Sequence, residues 1–273
     1  MIRIWPVMAP HSPDLLSSFL RGSEREMAGA FVRLRQELFA RSPEPFDAVI
    51  AYTPGWQVRH ITLLDLSRDH ISSRDFSGFG HHYQYDPPGS PELGQRLLRS
   101  AKKIGMAVAP GIHGIDHAIS VPLFFLLPEG TTPVLPVSQS QSGVRQATLL
   151  GESLRHLASN GREKILLLLS GVLSQNPLEM ARGREDLRIP LWTDRIVEAL
   201  VGGGTPDWGL LPSLGREVLD ALDPPGRLRE LHLLKGLGAS GGRLWGRERV
   251  EGLVQVLVSF DPLEVEEAAA SEE

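Results

Sequence analysis

The sequence predicts an α/β protein: one domain over residues 1–263, with a central mixed or mostly parallel sheet and helices on both faces. Three observations lead there. The chain has 273 residues, 41% of them hydrophobic, enough to bury one large core. Short apolar runs alternate along it with amphipathic stretches, the pattern of a sheet sandwiched between helices. No internal repeat breaks that alternation.

In chain order, strands are predicted at Ile2–Val7, Ala48–Thr53, Met106–Ala109, Val134–Val137, Lys164–Leu169 and Leu253–Phe260, each a short run rich in apolar residues. A helix should start near Ser23. The stretch Ser23-Glu24-Arg25-Glu26 reads as a capping box, and Met27, Phe31, Leu34 and Leu38 then share one face. A second should start at Ser90-Pro91, with Ser as N-cap and Pro in the first helical position. Further helices are expected over 143–158, 191–201, 212–222 and 226–236. Before the Pro91 helix lies the polar segment DFSGFGHHYQYDPPGSPE, a long loop of the kind that often carries function. Residues 264–273 are acidic and lack apolar anchors, which predicts a disordered tail.

Composition excludes several classes of function. The net charge is -5, and the arginines are scattered among acids, which gives no footprint for nucleic acid. No apolar run approaches the ~20 residues of a membrane span, and the opening MIRIWPVMAPHSP lacks the regions of a signal peptide. The expectation is a cytoplasmic protein that engages neither membrane nor nucleic acid. Without cysteine there is no disulfide, thiolate ligand or Cys nucleophile, so any metal must be held by His, Asp or Glu.

Four features fall at or after strand ends, where open α/β sheets bind ligands. They are His11 after the first strand, Tyr52-Thr53-Pro54-Gly55-Trp56 after the second, Asp116-His117 after the third, and Ser170-Gly171-Val172-Leu173-Ser174-Gln175 after KILLLL. A single His beside a strand is more often structural than functional, and a polar loop after a strand needs no special role.

Taken together, His11-Ser12-Pro13, the DFSGFGHHYQYDPPGSPEL stretch and GIDHAISVPLFFLLPE resemble the class III (LigB-type) extradiol ring-cleavage dioxygenases over nearly the whole chain. The resemblance implies a LigB-like fold and a non-haem Fe(II) held by two His and one Glu, with open positions for a catechol-like ring and O₂. A further His would act as acid/base. Carried over residue by residue, the metal ligands match His11 and, in GRLRELHLLKGLGA, Glu230. The second His ligand should stand at Gly55, where the family's Ser-Pro-His-Trp reads Thr53-Pro54-Gly55-Trp56. The acid/base His should stand at Gln175, and glutamine does not exchange a proton near neutral pH. Asp116, His117, Tyr52 and Trp56 remain as substrate-binding candidates, forming with His11 a cleft for a small aromatic compound. No catalytic residue is assigned.

Among the other histidines, His60 is the alternative ligand to weigh, and His81 and His82 point to opposite faces if extended. His113 has a spacing to His117 that matters only on a helix, while His70, His156 and His232 suit solvated or capping roles. The leading expectation is therefore a non-catalytic subunit or paralogue, similar to the α subunit of 2-aminophenol 1,6-dioxygenase. No cofactor is expected in the isolated chain. It would form a homo-oligomer, or a hetero-oligomer with a catalytically intact homologue, with Phe124, Phe125 and Leu126 as interface candidates. Two alternatives stay open: an active Fe(II) dioxygenase with a rearranged ligand set, and a small-molecule binding or scaffold protein resembling the Memo branch.

Overall fold

A computed structural model describes residues 3–23, 25–41, 46–70, 85–159, 162–177, 181, 186–250 and 252–264. The order is β1 (Arg3–Ala9), α1 (Pro13–Leu20), α2 (Glu26–Arg41), β2 (Ala48–Val58), β3 (Thr62–Asp65), α3 (Pro91–Lys103), β4 (Val108–Gly111), α4 (His117–Leu126) and β5 (Val134–Ser140). Then come α5 (Arg145–Ala158), β6 (Lys164–Ser170), β7 (Ser174–Gln175), α6 (Arg188–Val201), a 3₁₀ turn (Trp208–Ser213), α7 (Arg216–Leu222), α8 (Arg229–Leu237), β8 (Arg243–Val250), β9 (Leu253–Ser259) and β10 (Leu263–Glu264).

The strands form one mixed sheet in the order β4-β3-β5-β2-β6-β1-β9-β7, with β10 on β1 and β8 on β9. Its centre, β5-β2-β6-β1, is parallel, while β9 runs antiparallel to β1. Central strands buried on both faces need apolar side chains both ways, and the run Ile165–Leu169 has no exposed residue. Alternate residues of β1 serve two cores. Ile4 and Met8 pack with Leu97, Leu154, Ile196 and Leu234 of α3, α5, α6 and α8. Trp5, Val7 and Ala9 pack with Leu15, Phe31 and Phe125 of α1, α2 and α4. This is the two-faced α/β arrangement that the alternation predicted.

Several expectations shift. Residues 212–222 are not one helix: the 3₁₀ turn ends at Ser213, and extended Gly215 caps a separate α7. Ser90 precedes α3, yet its side chain makes no capping hydrogen bond. Met27, Phe31, Leu34 and Leu38 are the buried face of α2 as expected, while Glu24 of the proposed capping box lies outside the described residues. So do His81, His82 and residues 265–273. Phe125 and Leu126 are 5% and 1% exposed and fill the core, so they offer no interface; the apolar run of α4 is buried by α1 and α2. Only Phe124 of the three is partly buried, against Phe19. Among the described residues no helix is long and apolar enough to cross a membrane.

Candidate functional site

The parallel strands β1, β2, β5 and β6 all end on the same side, and the segments leaving β1, β2 and β6 line, with the start of α4, a cavity of about 440 Å³. His11 and Ser12 come from the turn after β1, Pro13 and Asp14 from the start of α1, and Pro54 and Gly55 from β2. His117 and Ala118 open α4, Val172 and Gln175 follow β6, and Pro225 and Leu253 close the rim.

Each segment is held in place by local chemistry. In β2 the pairing with β5 jumps from Thr53 to Gln57, a bulge that turns Pro54-Gly55-Trp56 out of the sheet, as bulges beside binding sites often do. The Gly55 amide donates to Thr53 Oγ1 at 3.1 Å. Asp116 is the N-cap of α4, its Oδ1 accepting from Ile119 N at 2.9 Å, so that His117 becomes the first helical residue and faces the cavity. The other oxygen of Asp116 accepts from Thr53 Oγ1 at 3.0 Å and lies 2.7 Å from His113 Nε2. The 113–114 turn is anchored in turn by Asp65, which accepts from both backbone amides at 2.8 Å.

The electrostatics follow from burial. His11 is 6% exposed; desolvation, reinforced by nearby His117 and opposed by Asp116, pushes its imidazole down to about 4. It is therefore neutral at pH 7. The His11 and His117 rings lie 5.7 Å apart. Burial works to raise the Asp116 carboxyl, but the hydrogen bond and charge of His113 hold it below the usual range. Asp65 behaves alike: burial opposes, while bonds from His70, Ser67, His113 and Gly114 keep it ionised.

The sequence candidates divide into groups. His11, His117, Gly55 and Gln175 face the cavity. Tyr52, 1% exposed, does not line it: the residue points into the sheet's other face, where burial and Glu230 push its phenol up. Trp56 does not line it either, because the bulge turns its indole outward to stack on His113 at 4.9 Å between centroids. Asp116 sits behind Gly55 instead of in the cavity wall. His60 is exposed beyond the end of β2 and is not part of the lining. His70 is buried beside Asp65 and bonds Val134 O, His232 is half-buried on α8, and His156 is exposed on α5. His113, discounted because its spacing to His117 has meaning only on a helix, proves to be the partner of Asp116. Its i,i+3 relation to the acidic cap was the signal available. Pro225 and Leu253 carried none.

Residues 7–248 match the family described as the catalytic LigB subunit of aromatic ring-opening dioxygenase. The chain belongs to the LigB family. Among curated LigB-type relatives, 4,5-DOPA dioxygenase extradiol of Beta vulgaris is 27% identical over 142 residues, 50% of this chain and 51% of that one. The protein of the same name from Escherichia coli K12 is 28% identical over 149 residues, 54% of each chain. The matched stretch thus spans about half the length of these relatives. A crystal structure of an uncharacterized protein from Escherichia coli K12 superimposes with a TM-score of 0.68 at 18% identity, covering 95% of this chain and 100% of that one. That likeness speaks for the fold.

LigB-type dioxygenases use Fe(II), and the described residues at this cavity do not fit it. Gly55 offers no donor atom. Glu230 lies on the far side of Gly171, where a β-carbon on that glycine would meet its Oε1 at 2.7 Å, and it is not in the cavity lining. Among the described residues no group of three or more His, Asp or Glu side chains is placed to hold a metal.

Proposed function

We propose that the protein is a non-catalytic LigB-type subunit or paralogue, whose cleft binds a small aromatic molecule without opening its ring. The observation that carries this reading is that positions 55 and 175 both face the cavity and carry Gly and Gln. One lacks a ligand atom, and the other hydrogen-bonds without exchanging a proton. What remains suits binding. Pro54, Val172, Pro225 and Leu253 give apolar walls for a planar ring. Neutral His11 accepts a hydrogen bond from a phenolic hydroxyl, and the Gln175 amide donates and accepts. A catechol bearing a side chain, as the names of the curated relatives suggest, is the first ligand to test. In titrations followed by calorimetry, catechol or DOPA should bind with a Kd of about 1 mM or tighter, a weak but measurable affinity. No heat from any of a panel of catechols and aminophenols would remove the ligand from the proposal.

The same reading places the chain in an assembly with a homologue that keeps both histidines, since subunits of one fold pair through equivalent surfaces. With Phe125 and Leu126 in the core, the apolar surface left nearby is Phe19 and Leu20 of α1 and Val32 of α2, 42%, 47% and 43% exposed, beside Phe124. The chain should be purified alone and after co-expression with such a homologue, then reconstituted anaerobically with Fe(II). Well under one iron per chain alone, with co-elution of the pair, is expected. Stoichiometric iron in the isolated chain, lost in His11→Ala, would instead establish the alternative of a rearranged active centre.

A further inference from the structure

Position 55 is more than a ligand site stripped of its side chain. Gly55 does not adopt a positive φ, so no backbone constraint demands glycine there. What demands it is room. A β-carbon at this position would stand 2.1 Å from Asp116 Oδ2, 2.9 Å from Asp116 Cγ and 3.3 Å from Thr53 Oγ1, the first two well inside van der Waals contact.

The Asp116 carboxylate is not a loose side chain that could swing away. It is 4% exposed, and both of its oxygens are engaged, Oδ1 by Ile119 N and Oδ2 by Thr53 Oγ1 and His113. Its partners are fixed as well. Thr53 is fully buried in β2, the His113 ring is flat against Trp56 at an interplanar angle of 4°, and the His113 amide is tied to Asp65. Moving Asp116 would unpair several buried groups together, which is costly in a water-poor site.

We infer that Asp116 fills the room that a side chain at position 55 would need and, clamped by Thr53, His113 and the first turn of α4, is a positioning residue that fixes that wall of the cleft and excludes a metal-ligating side chain from it. The inference rests on the reading of the cleft as one that holds no iron. It adds that packing around Asp116 leaves no room for a side chain at position 55, so that Gly55→His alone does not return a metal site.

A double-mutant cycle tests this directly. Gly55→Ala should lower the melting temperature by about 5 °C, the effect of pressing a β-carbon against the buried Asp116 carboxylate. Asp116→Ala should also lower it, through the lost cap and hydrogen bonds. In Gly55→Ala/Asp116→Ala the cost of the alanine at 55 should vanish, so that the double variant melts no lower than Asp116→Ala. If Gly55→Ala does not fold, recovery of a folded chain on adding Asp116→Ala supports the inference in the same way. Additive losses, no loss in Gly55→Ala, or failure of the double variant to fold would overturn it.

A second measurement reads the cleft itself. Zn²⁺ titrated calorimetrically should bind Gly55→His/Asp116→Ala at least about ten-fold more tightly than Gly55→His, a difference of 1.4 kcal/mol. Equal affinities, or none in either variant, would overturn the claim that Asp116 is what excludes the ligand. Iron found in the native chain would defeat the non-catalytic reading while leaving the stability cycle to stand or fall by itself.

Discussion

Glu230→Gln should stabilise the folded chain by about 3 kcal/mol at pH 8 and by almost nothing at pH 4.5. Glu230 is 1% exposed, with Oε2 unbonded, and burial pushes its carboxyl from 4.5 up to about 7 against the pull of its own backbone bond and of Arg229. In the unfolded chain the group ionises above pH 4.5, whereas the folded chain keeps the proton until about pH 7. Between those values unfolding releases a proton, so stability falls as pH rises and levels off above pH 7. Glutamine keeps the shape and removes the titration. His11 works in the opposite sense. Its folded value of about 4 lies below the ordinary 6.5, so protonation favours the unfolded chain and stability falls as pH drops through that window. In the native protein the two slopes oppose each other between about pH 4.5 and 6.5, and in Glu230→Gln the acid loss from His11 should stand alone. Urea denaturation at several pH values measures both. A variant less stable than the native chain at pH 8 would show that an ionised Glu230 is held by a cation, as a metal-ligand role requires, and would sink the buried-neutral account.

The fold was legible where periodicity was strong. The runs that became β1, β2, β5, β6 and β9 are dominated by apolar residues, with few polar interruptions such as Arg3 and Gln255, and α2 and α3 have one clear apolar face. What escaped notice lacked such a pattern. β3 is only Thr62–Asp65, and β8, RLWGRERV, carries the charged run Arg247-Glu248-Arg249 besides Arg243. α4, HAISVPLFFL, is apolar on all sides and contains Pro122, so it shows no helical stripe although Asp116 caps it. At the site, His11, Gly55 and Gln175 could be located because their motifs fix them after particular strands. Trp56 could not, because its direction depends on a bulge between Thr53 and Gln57 that no local pattern announces; Tyr52 is still in regular pairing before that bulge, and its side chain follows the alternation of β2 into the core. Glu230 could be named from its motif, but its place behind Gly171 depends on how closely α8 approaches the sheet, and that approach is set by two glycines that the sequence reading passed over.

Those glycines give the other large expected effect. In α5, a β-carbon on Gly151 would lie 2.2 Å from Leu233 O and 2.5 Å from Leu237 N; in α8, one on Gly236 would lie 2.1 Å from Thr148 O and 2.9 Å from its carbonyl carbon. Here the neighbouring atoms are helix backbone, which cannot give way as a flexible side chain does. In an exposed helix, alanine is favoured over glycine by about 1 kcal/mol. In this pair the preference should reverse: Gly236→Ala forces α5 and α8 apart and should cost about 3 kcal/mol, lowering the melting temperature by about 10 °C. Because one separation relieves both contacts, Gly151→Ala/Gly236→Ala should cost well under the sum of its parts. The consequence reaches the cleft. Pro225 at the rim leads into α8, and Glu230 on α8 abuts Gly171, next to the lining residue Val172. Any aromatic ligand that binds the native chain should therefore bind Gly236→Ala less tightly even at temperatures where the variant is fully folded. Thermal melts of the three variants, with ligand titrations well below each transition, check both halves. Melting temperatures within a degree of the native chain would mean that the two helices do not pack backbone to backbone, and the route from α8 to the cleft would fall with it.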